Sequence, residues 1–361
     1  MTQHVDAVSR TEPADPALVS TGSRRGRWAV VLGTVVAILA ILPWLPFGVP
    51  GVFSGPFNTP GTLQVLAVGI TLAALAMSYD VVFGYTGLLS FGHALPFALG
   101  VYGTNLLMTH ATLPYPVAGL AAVAGVVVVS LLLGSVALRT TGVAFAMVTL
   151  AFSEAFSLLV LTDPLRFLGG EEGLSLASDQ VPDLFRGVVN VRFIYWLALT
   201  VAVAVYLVAR KVVTSRAGRV FEAIRENEPR VEMMGLRPFP FKLASFVLGS
   251  GLAASCGAVY LLVVRGANVG VTTPEFTLAI LVMVVLGGAG RLWGAAIGGF
   301  VYGLLTLRLS AVATSDVIDS LPGWLSGPLS EPLFVLGTLF VLLMLFAPEG
   351  ISSVTSRMRR R

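Results

Sequence analysis

The chain has 361 residues, of which 56% are hydrophobic and 12% charged, with 39 glycines and a formal net charge of +4. A soluble domain carries about 25% charged residues, so a soluble fold of this length is excluded and the chain reads as an all-α integral membrane protein. The single cysteine, Cys256, excludes an internal disulfide and a cysteine-based metal cluster, and His4, His93 and His110 lack metal-ligand spacing; the basic residues flank apolar runs, the pattern of membrane loops and not of a nucleic-acid surface.

Residues 1–27 are polar, rich in Pro, Asp and Ser, and expected to form a disordered cytoplasmic tail. The basic start and apolar run after it have the outline of a signal peptide. An apolar run of about 20 residues without a small-residue cleavage pattern favours an uncleaved helix instead. Runs long enough to cross roughly 30 Å of hydrocarbon lie near 28–47, 62–83, 95–109, 115–137, 143–161, 193–210, 242–263, 276–290, 293–310 and 332–347. They predict about ten transmembrane helices within a domain spanning 28–348, followed by a basic cytoplasmic tail, 349–361. The runs 95–109 and 276–290 are short and glycine-rich, and are expected to be broken, tilted or re-entrant.

An even number of spans places both termini on one side. With the N-terminus inside, 18 Lys/Arg fall on inner segments, including Arg24, Arg25, Arg27 and four at 357–361; Arg166, Arg186, Arg192, Arg265 and Arg308 are the five outside. That asymmetry predicts cytoplasmic termini.

Along the chain, the first polar features are Asp80, at the inner end of its span and able to reach the interface, and the block Gly84, Tyr85, Gly87, Ser90 and His93. The block either packs helices closely or unwinds from Gly84 to His93 so that its backbone lines a translocation path. His93 is read as an interface histidine with satisfied hydrogen bonds before a proton carrier. Glu154 sits mid-span between Ser153 and Ser157, where a carboxylate costs about 2.5–3.5 kcal/mol; it either hydrogen-bonds a neighbouring helix or borders the path. In the outer loop, about 162–192, Glu171 and Glu172 either dock a basic partner surface or solvate the loop.

Between Arg210 and Lys242 stand eight Lys/Arg and four Asp/Glu, concentrated in an inner loop at about 211–241. Val220, Phe221 and Ile224, with Val231 and Met234, recur near helical spacing among Arg219, Glu222, Arg225 and Glu226, so an amphipathic helix is expected. Pro229 fits the first turn of a second short helix that ends at Gly235. Resting on anionic lipid is one use of such a helix; the alternating signs favour a protein partner. Further on, Arg265 and Glu275 lie near span ends, and Gly294, Gly298, Gly299 and Gly303 have the spacing of helix–helix packing. No G-x-x-x-x-G-K-[ST] phosphate loop occurs.

The stretch GRVFEAIRENEPRVEMMGLRPFPFKLASFVLGSGLAASCGAVY (218–260) resembles the coupling segment and next helix of the branched-chain amino acid permease subunits of bacterial and archaeal ABC importers, in the subfamily of the second, longer permease. DVVFGYTGLLSFGHALPFALGVYG, VTLAFSEAFSLLV, FLGGEEGLS, VLGGAGRLWGAAIGG and FAPEGI are similar to further blocks in the same order, over about residues 60–352. The glutamate pair in FLGGEEGLS departs from the mixed Asn/Asp character usual there. The resemblance implies an importer permease fold in a prokaryotic plasma or inner membrane, with ATP and Mg held by partner subunits and no cofactor on this chain. It implies as partners a second homologous permease, two ATP-binding subunits and an extracytoplasmic binding protein. In the coupling helix, Phe221 and Ile224 would fill a groove on the ATPase, with Arg219, Glu222, Arg225 and Glu226 on its rim and Gly235 at the end. Leucine, isoleucine and valine are the implied cargo; urea, short amides or other small polar solutes are served by close relatives. A stand-alone secondary transporter is the remaining alternative, and the mixed-charge loop argues against it.

Overall fold

A bilayer offers no water to backbone groups, so an apolar chain must satisfy them within helices. The computed structural model describes residues 21–46, 55–164, 166–187 and 190–313, together with 334, 337, 338, 341 and 345. In chain order its helices are α1 (Thr21–Ile41), α2 (Pro60–Asp80), α3 (Ala94–His110), α4 (Tyr115–Ala137), α5 (Val143–Thr162), α6 (Val191–Val213), α7 (Arg216–Met233), α8 (Pro238–Val264), α9 (Pro274–Gly287) and α10 (Leu292–Ala313). A pair of two-residue antiparallel strands, β1 (Leu174–Ser175) and β2 (Gly266–Ala267), links two loops. Prolines open α2, α4, α8 and α9 in the first turn, where a missing N–H leaves no bond unmade.

Each of the first nine expected spans overlaps one of these helices, α7 being the additional one. The tenth expected span, 332–347, lies almost wholly outside the described residues, as do residues 1–20 of the N-terminal tail and the tail 349–361. With the π-helical turn Val81–Tyr85 that extends it, α2 is long and apolar enough to cross a membrane, as are α4, α5, α6 and α8. Helices α3 and α9 have 17 and 14 residues, the two short elements anticipated from their glycines.

The chain divides into a unit that ends at Leu42, to which α1 belongs, and a unit that begins at Pro43. Within the second, α2 is central: every residue from Leu66 to Asp80 is buried, among α6, α8, α9 and α10. A helix apolar on all sides is buried on all sides. Helix α8 forms a second centre against α3 and α4. Glycine sets both spacings. A Cβ on Gly100 would overlap the Ala254 carbonyl and one on Gly257 the Phe97 carbonyl, so α3 and α8 touch backbone to backbone. On α10, Gly298 meets Met283 of α9, and a Cβ on Gly299 would lie 2.6 Å from the Leu72 carbonyl oxygen of α2. By contrast α5 is sparsely covered, and α4 and α5 leave Val128, Leu132, Val143, Met147 and Leu158 exposed.

Candidate functional site

Helix α7 leaves the end of α6 and returns the chain to the start of α8. Ser215 caps it, its hydroxyl accepting from the Gly218 N–H at 3.3 Å. Asn227 breaks it with φ −159° and ψ 95° and caps a second segment, its Oδ1 accepting from the Arg230 N–H at 3.0 Å. Pro229 therefore sits in the first turn of that segment, as expected. The segment stops at Gly235, whose φ of +82° lets the Leu236 N–H return to the Val231 carbonyl at 3.3 Å.

The direction in which α7 faces corrects an expectation. Phe221 and Ile224 retain 1% and 5% of their exposure and, with Val231, are buried on a helix packed against α6, α8 and the π turn. Burying each such side chain contributes about 1.5–3 kcal/mol, so this stripe fastens α7 to its own chain and has no area left to fill a groove on another. Arg225 stays exposed, as expected of a rim residue, but its guanidinium is engaged within its own chain, donating to the Gly84 carbonyl. Lys242 of α8 pairs with Glu228. The outward face holds Arg216, Arg219, Glu222, Glu226, Arg230 and Glu232. Beside it lies an exposed apolar patch of Met233, Met234, Leu236 and Phe239, with Met233 at 82% exposure. Met234, read from its spacing as part of the same apolar stripe as Phe221 and Ile224, is thus on a different, exposed face. The signal for this patch was an apolar cluster straddling a glycine stop, which helical periodicity does not register.

Gly84 and Tyr85 belong to the π turn, so the segment after α2 is irregular only from Gly87 to His93, shorter than the unwinding from Gly84 that one alternative required, and it is sealed by protein. The Phe91 N–H donates to Thr149 Oγ1 of α5 at 3.1 Å, the Ala94 N–H to Thr277 Oγ1 of α9 at 3.0 Å, and the Tyr79 hydroxyl to the Ser90 carbonyl at 2.8 Å. His93 is buried, its ring nitrogen 3.0 Å from Ser78 Oγ and its ring 4.8 Å from that of Tyr79. Gly84, Ser90 and His93 are therefore structural members of the bundle and do not line an open path. Tyr85 is half-buried, and Gly87 is exposed against the Arg225 side chain. Asp80, expected to reach the interface, is fully buried; its Oδ1 accepts from the Gly290 N–H at 2.7 Å and its Oδ2 has no partner.

Glu154 is placed differently. It is exposed on α5 beside Ala151, Ala155 and Leu158, with no hydrogen bond among the described residues, while its neighbours turn inward: Ser153 is buried and Ser157 accepts from Thr272 at 3.2 Å. The helix–helix hydrogen bond weighed for Glu154 is not found among the described residues.

At the other end of α8, β1 and β2 join the 163–187 loop to the start of the next one, and Asn105 holds the loop by donating to the Ser175 carbonyl at 2.9 Å and accepting from the Ala177 N–H at 3.2 Å. Asp163 organises the loop's first turn. Desolvation, the largest single influence on its carboxyl, is outweighed by the Leu168, Phe167, Gly169 and Arg166 amides together, which hold it below the usual carboxylate range. Glu171 and Glu172 occupy an exposed 3-10 turn in this loop. Among the described residues no three His, Cys, Asp or Glu side chains gather as a metal site would require.

The family model described as branched-chain amino acid transport system / permease component matches residues 61–347. The high-affinity branched-chain amino acid transport system permease protein LivM of Escherichia coli is 27% identical over 89% of this chain and 75% of its own length. The probable branched-chain amino acid transport permease protein LivM of Methanocaldococcus jannaschii is 27% identical over 77% of this chain and 89% of its own. The high-affinity permease protein LivH of Escherichia coli is 22% identical over 79% and 92%.

Proposed function

The chain belongs to the branched-chain amino acid transport permease family, as a LivM-like, non-enzymatic, multi-pass membrane component, and from that membership we propose that it works within an ATP-driven importer. With a homologous permease it forms the path for leucine, isoleucine and valine, released by an extracytoplasmic binding protein and driven by two ATP-binding subunits. Residues 28–348 make up the permease domain, between a cytoplasmic tail at 1–27 and a basic one at 349–361.

The observation that carries this proposal is α7. A bent helix seated on its own chain through Phe221, Ile224 and Val231, and offering Arg219, Glu222 and Glu226 beside Met233, Met234, Leu236 and Phe239, is a preformed platform. An apolar centre with a charged rim is the composition of a protein docking surface. A carrier driven by an ion gradient has no use for it. Glu154 supports the second permease as partner: a mid-span carboxylate facing lipid costs about 2.5–3.5 kcal/mol, which a second helix bundle or a water-filled path between the two relieves. Glu171 and Glu172 remain suited to basic residues of a binding protein.

The deciding experiment is co-expression with the neighbouring permease and ATPase subunits and reconstitution with the binding protein. ATP-dependent leucine uptake is expected, competed by isoleucine and valine and not by urea or acetamide. Uptake by the single chain under a proton or sodium gradient would end the importer proposal; competition by urea alone would move the cargo.

A further inference from the structure

Below α7 the chain brings together groups from widely separated places. Asp80, the last residue of α2, is buried with Oδ1 on the Gly290 N–H at 2.7 Å and Oδ2 unpartnered. Gly84, in the π turn, lies so close that a Cβ there would overlap Oδ1 and stand 2.5 Å from the Gly290 nitrogen. From α7, Arg225 donates through Nη1 to the Gly84 carbonyl, and a Cβ on Gly290 would be 2.8 Å from that nitrogen. Gly87, at φ +77°, makes room for the arginine stem, since a Cβ there would lie 3.0 Å from Arg225 Cγ. Yet Asp80 Oδ1 bonds the Gly290 N–H and Oδ2 has no hydrogen-bond partner, so the guanidinium stops short of the carboxylate.

The guanidinium therefore sits on a neutral carbonyl while a buried carboxylate oxygen beside it is idle. An unpaired buried oxygen is costly and a guanidinium is its natural partner, so two seats for one cation lie next to each other. Three glycine positions hold the space open, and one of them is in a π turn, a local register defect that can be re-formed without unfolding the helix. A side chain with two discrete acceptors on different elements is the kind of element through which a small shift is passed on.

We propose that Arg225 is a positioning residue that carries the movement of α7 into the bundle by exchanging the Gly84 carbonyl for the Asp80 carboxylate as its acceptor. In the exchange Gly84 loses its bond and Asp80 gains one, so the π turn and the Gly288–Gly290 turn between α9 and α10 respond together. The proposal rests on α7 being the element that docks the ATPase.

The test compares the assembled importer carrying wild-type chain, Arg225→Gln, Arg225→Lys, Asp80→Asn and the double variant Arg225→Gln with Asp80→Asn. Arg225→Gln and Asp80→Asn are expected to keep co-purified ATPase subunits and basal ATP hydrolysis, yet to lose uptake and binding-protein-stimulated hydrolysis by about ten-fold or more. The double variant should be no worse than either single one, because both remove one interaction, and Arg225→Lys should restore part of the stimulation. In the wild-type complex, hydrogen exchange of peptides covering 81–91 and 287–291 should change on adding ATP, and the change should vanish in Arg225→Gln. Unimpaired uptake in Arg225→Gln, an additive double variant, or no ATP response at 81–91 in the wild type would each overturn the proposal. Loss of ATPase co-purification in Arg225→Gln would do so too, by making Arg225 a docking residue. If a variant does not assemble, the wild-type exchange measurement decides. Failure of the wild-type chain itself to retain ATPase subunits would instead sink the reading of α7 on which the proposal depends.

Discussion

Lys242, at the first turns of α8 and 8% exposed, gives its ammonium to the Glu228 carboxylate just beyond the break in α7. The pair joins Val231 in tying the second segment of α7 to the bundle, as Phe221 and Ile224 hold the first. Because the lysine is the more buried partner, removing the glutamate strands a charge. Glu228→Gln is expected to destabilise the chain by about 2–4 kcal/mol, and Lys242→Met by less, since it leaves a half-exposed carboxylate. Thermal unfolding of the detergent-solubilised chain, with limited proteolysis across 226–237, checks the order.

Phe221→Asp and Met233→Asp separate the two faces of α7. Phe221 is buried against its own chain, so a carboxylate there costs several kcal/mol and should lower expression and thermal stability before any partner is involved. Met233 is exposed, so Met233→Asp, and more so with Met234→Asp, should leave stability unchanged while co-purified ATPase drops about ten-fold or more. Stable Phe221→Asp protein lacking bound ATPase would reverse the assignment of the faces.

For Glu154, the exposed carboxylate of α5, the measurement is accessibility. Glu154→Cys in the assembled importer should react with a small water-soluble thiol reagent, and more slowly when the path is closed by nucleotide. Glu154→Leu should stabilise the isolated chain and reduce uptake. Labelling from lipid-soluble reagents alone would place this face in the bilayer.

The Asp163 carboxyl gives a pH signature with a defined sign. Its folded value is depressed by amide hydrogen bonds, so its contribution is complete above the ordinary carboxylate value of about 3.9 and is lost as pH falls through the lower folded one. Between pH 7 and pH 5, roughly, wild type and Asp163→Asn should differ by a constant amount, and the difference should close below about pH 4. Thermal unfolding across that range tests it.

Topology is checked by cysteine labelling in intact cells. Gly22→Cys is expected to be protected and Ser178→Cys to react from outside. An externally labelled Gly22→Cys would invert the orientation.

The spans, their short members and the Pro229–Gly235 segment could be read from sequence because hydropathy, proline and glycine act locally. The direction of α7 could not. Phe221 and Ile224 make an apolar stripe at helical spacing whether it covers a partner or the chain's own helices, and only three-dimensional placement separates the two. Asp80 shows the same limit at longer range: its acceptor role depends on the Gly290 N–H, 210 residues away. Glu154 could be recognised as costly, but the side of α5 left bare depends on which helices pack there.

Where α3 meets α8 at Gly100 and Gly257, and α10 meets α9 and α2 at Gly298 and Gly299, there is no side-chain cushion between backbones. Sliding one helix past its neighbour would drive carbonyl oxygens into Cα atoms, so these groups can tilt as solid blocks but cannot shear. Mechanical freedom is left to the parts outside the interlocks: α5, which few neighbours grip, and α7, which is hinged at Asn227. An engineer seeking to trap the protein in one posture would therefore gain little by cross-linking its glycine-packed centre, and most by pinning either of those two helices.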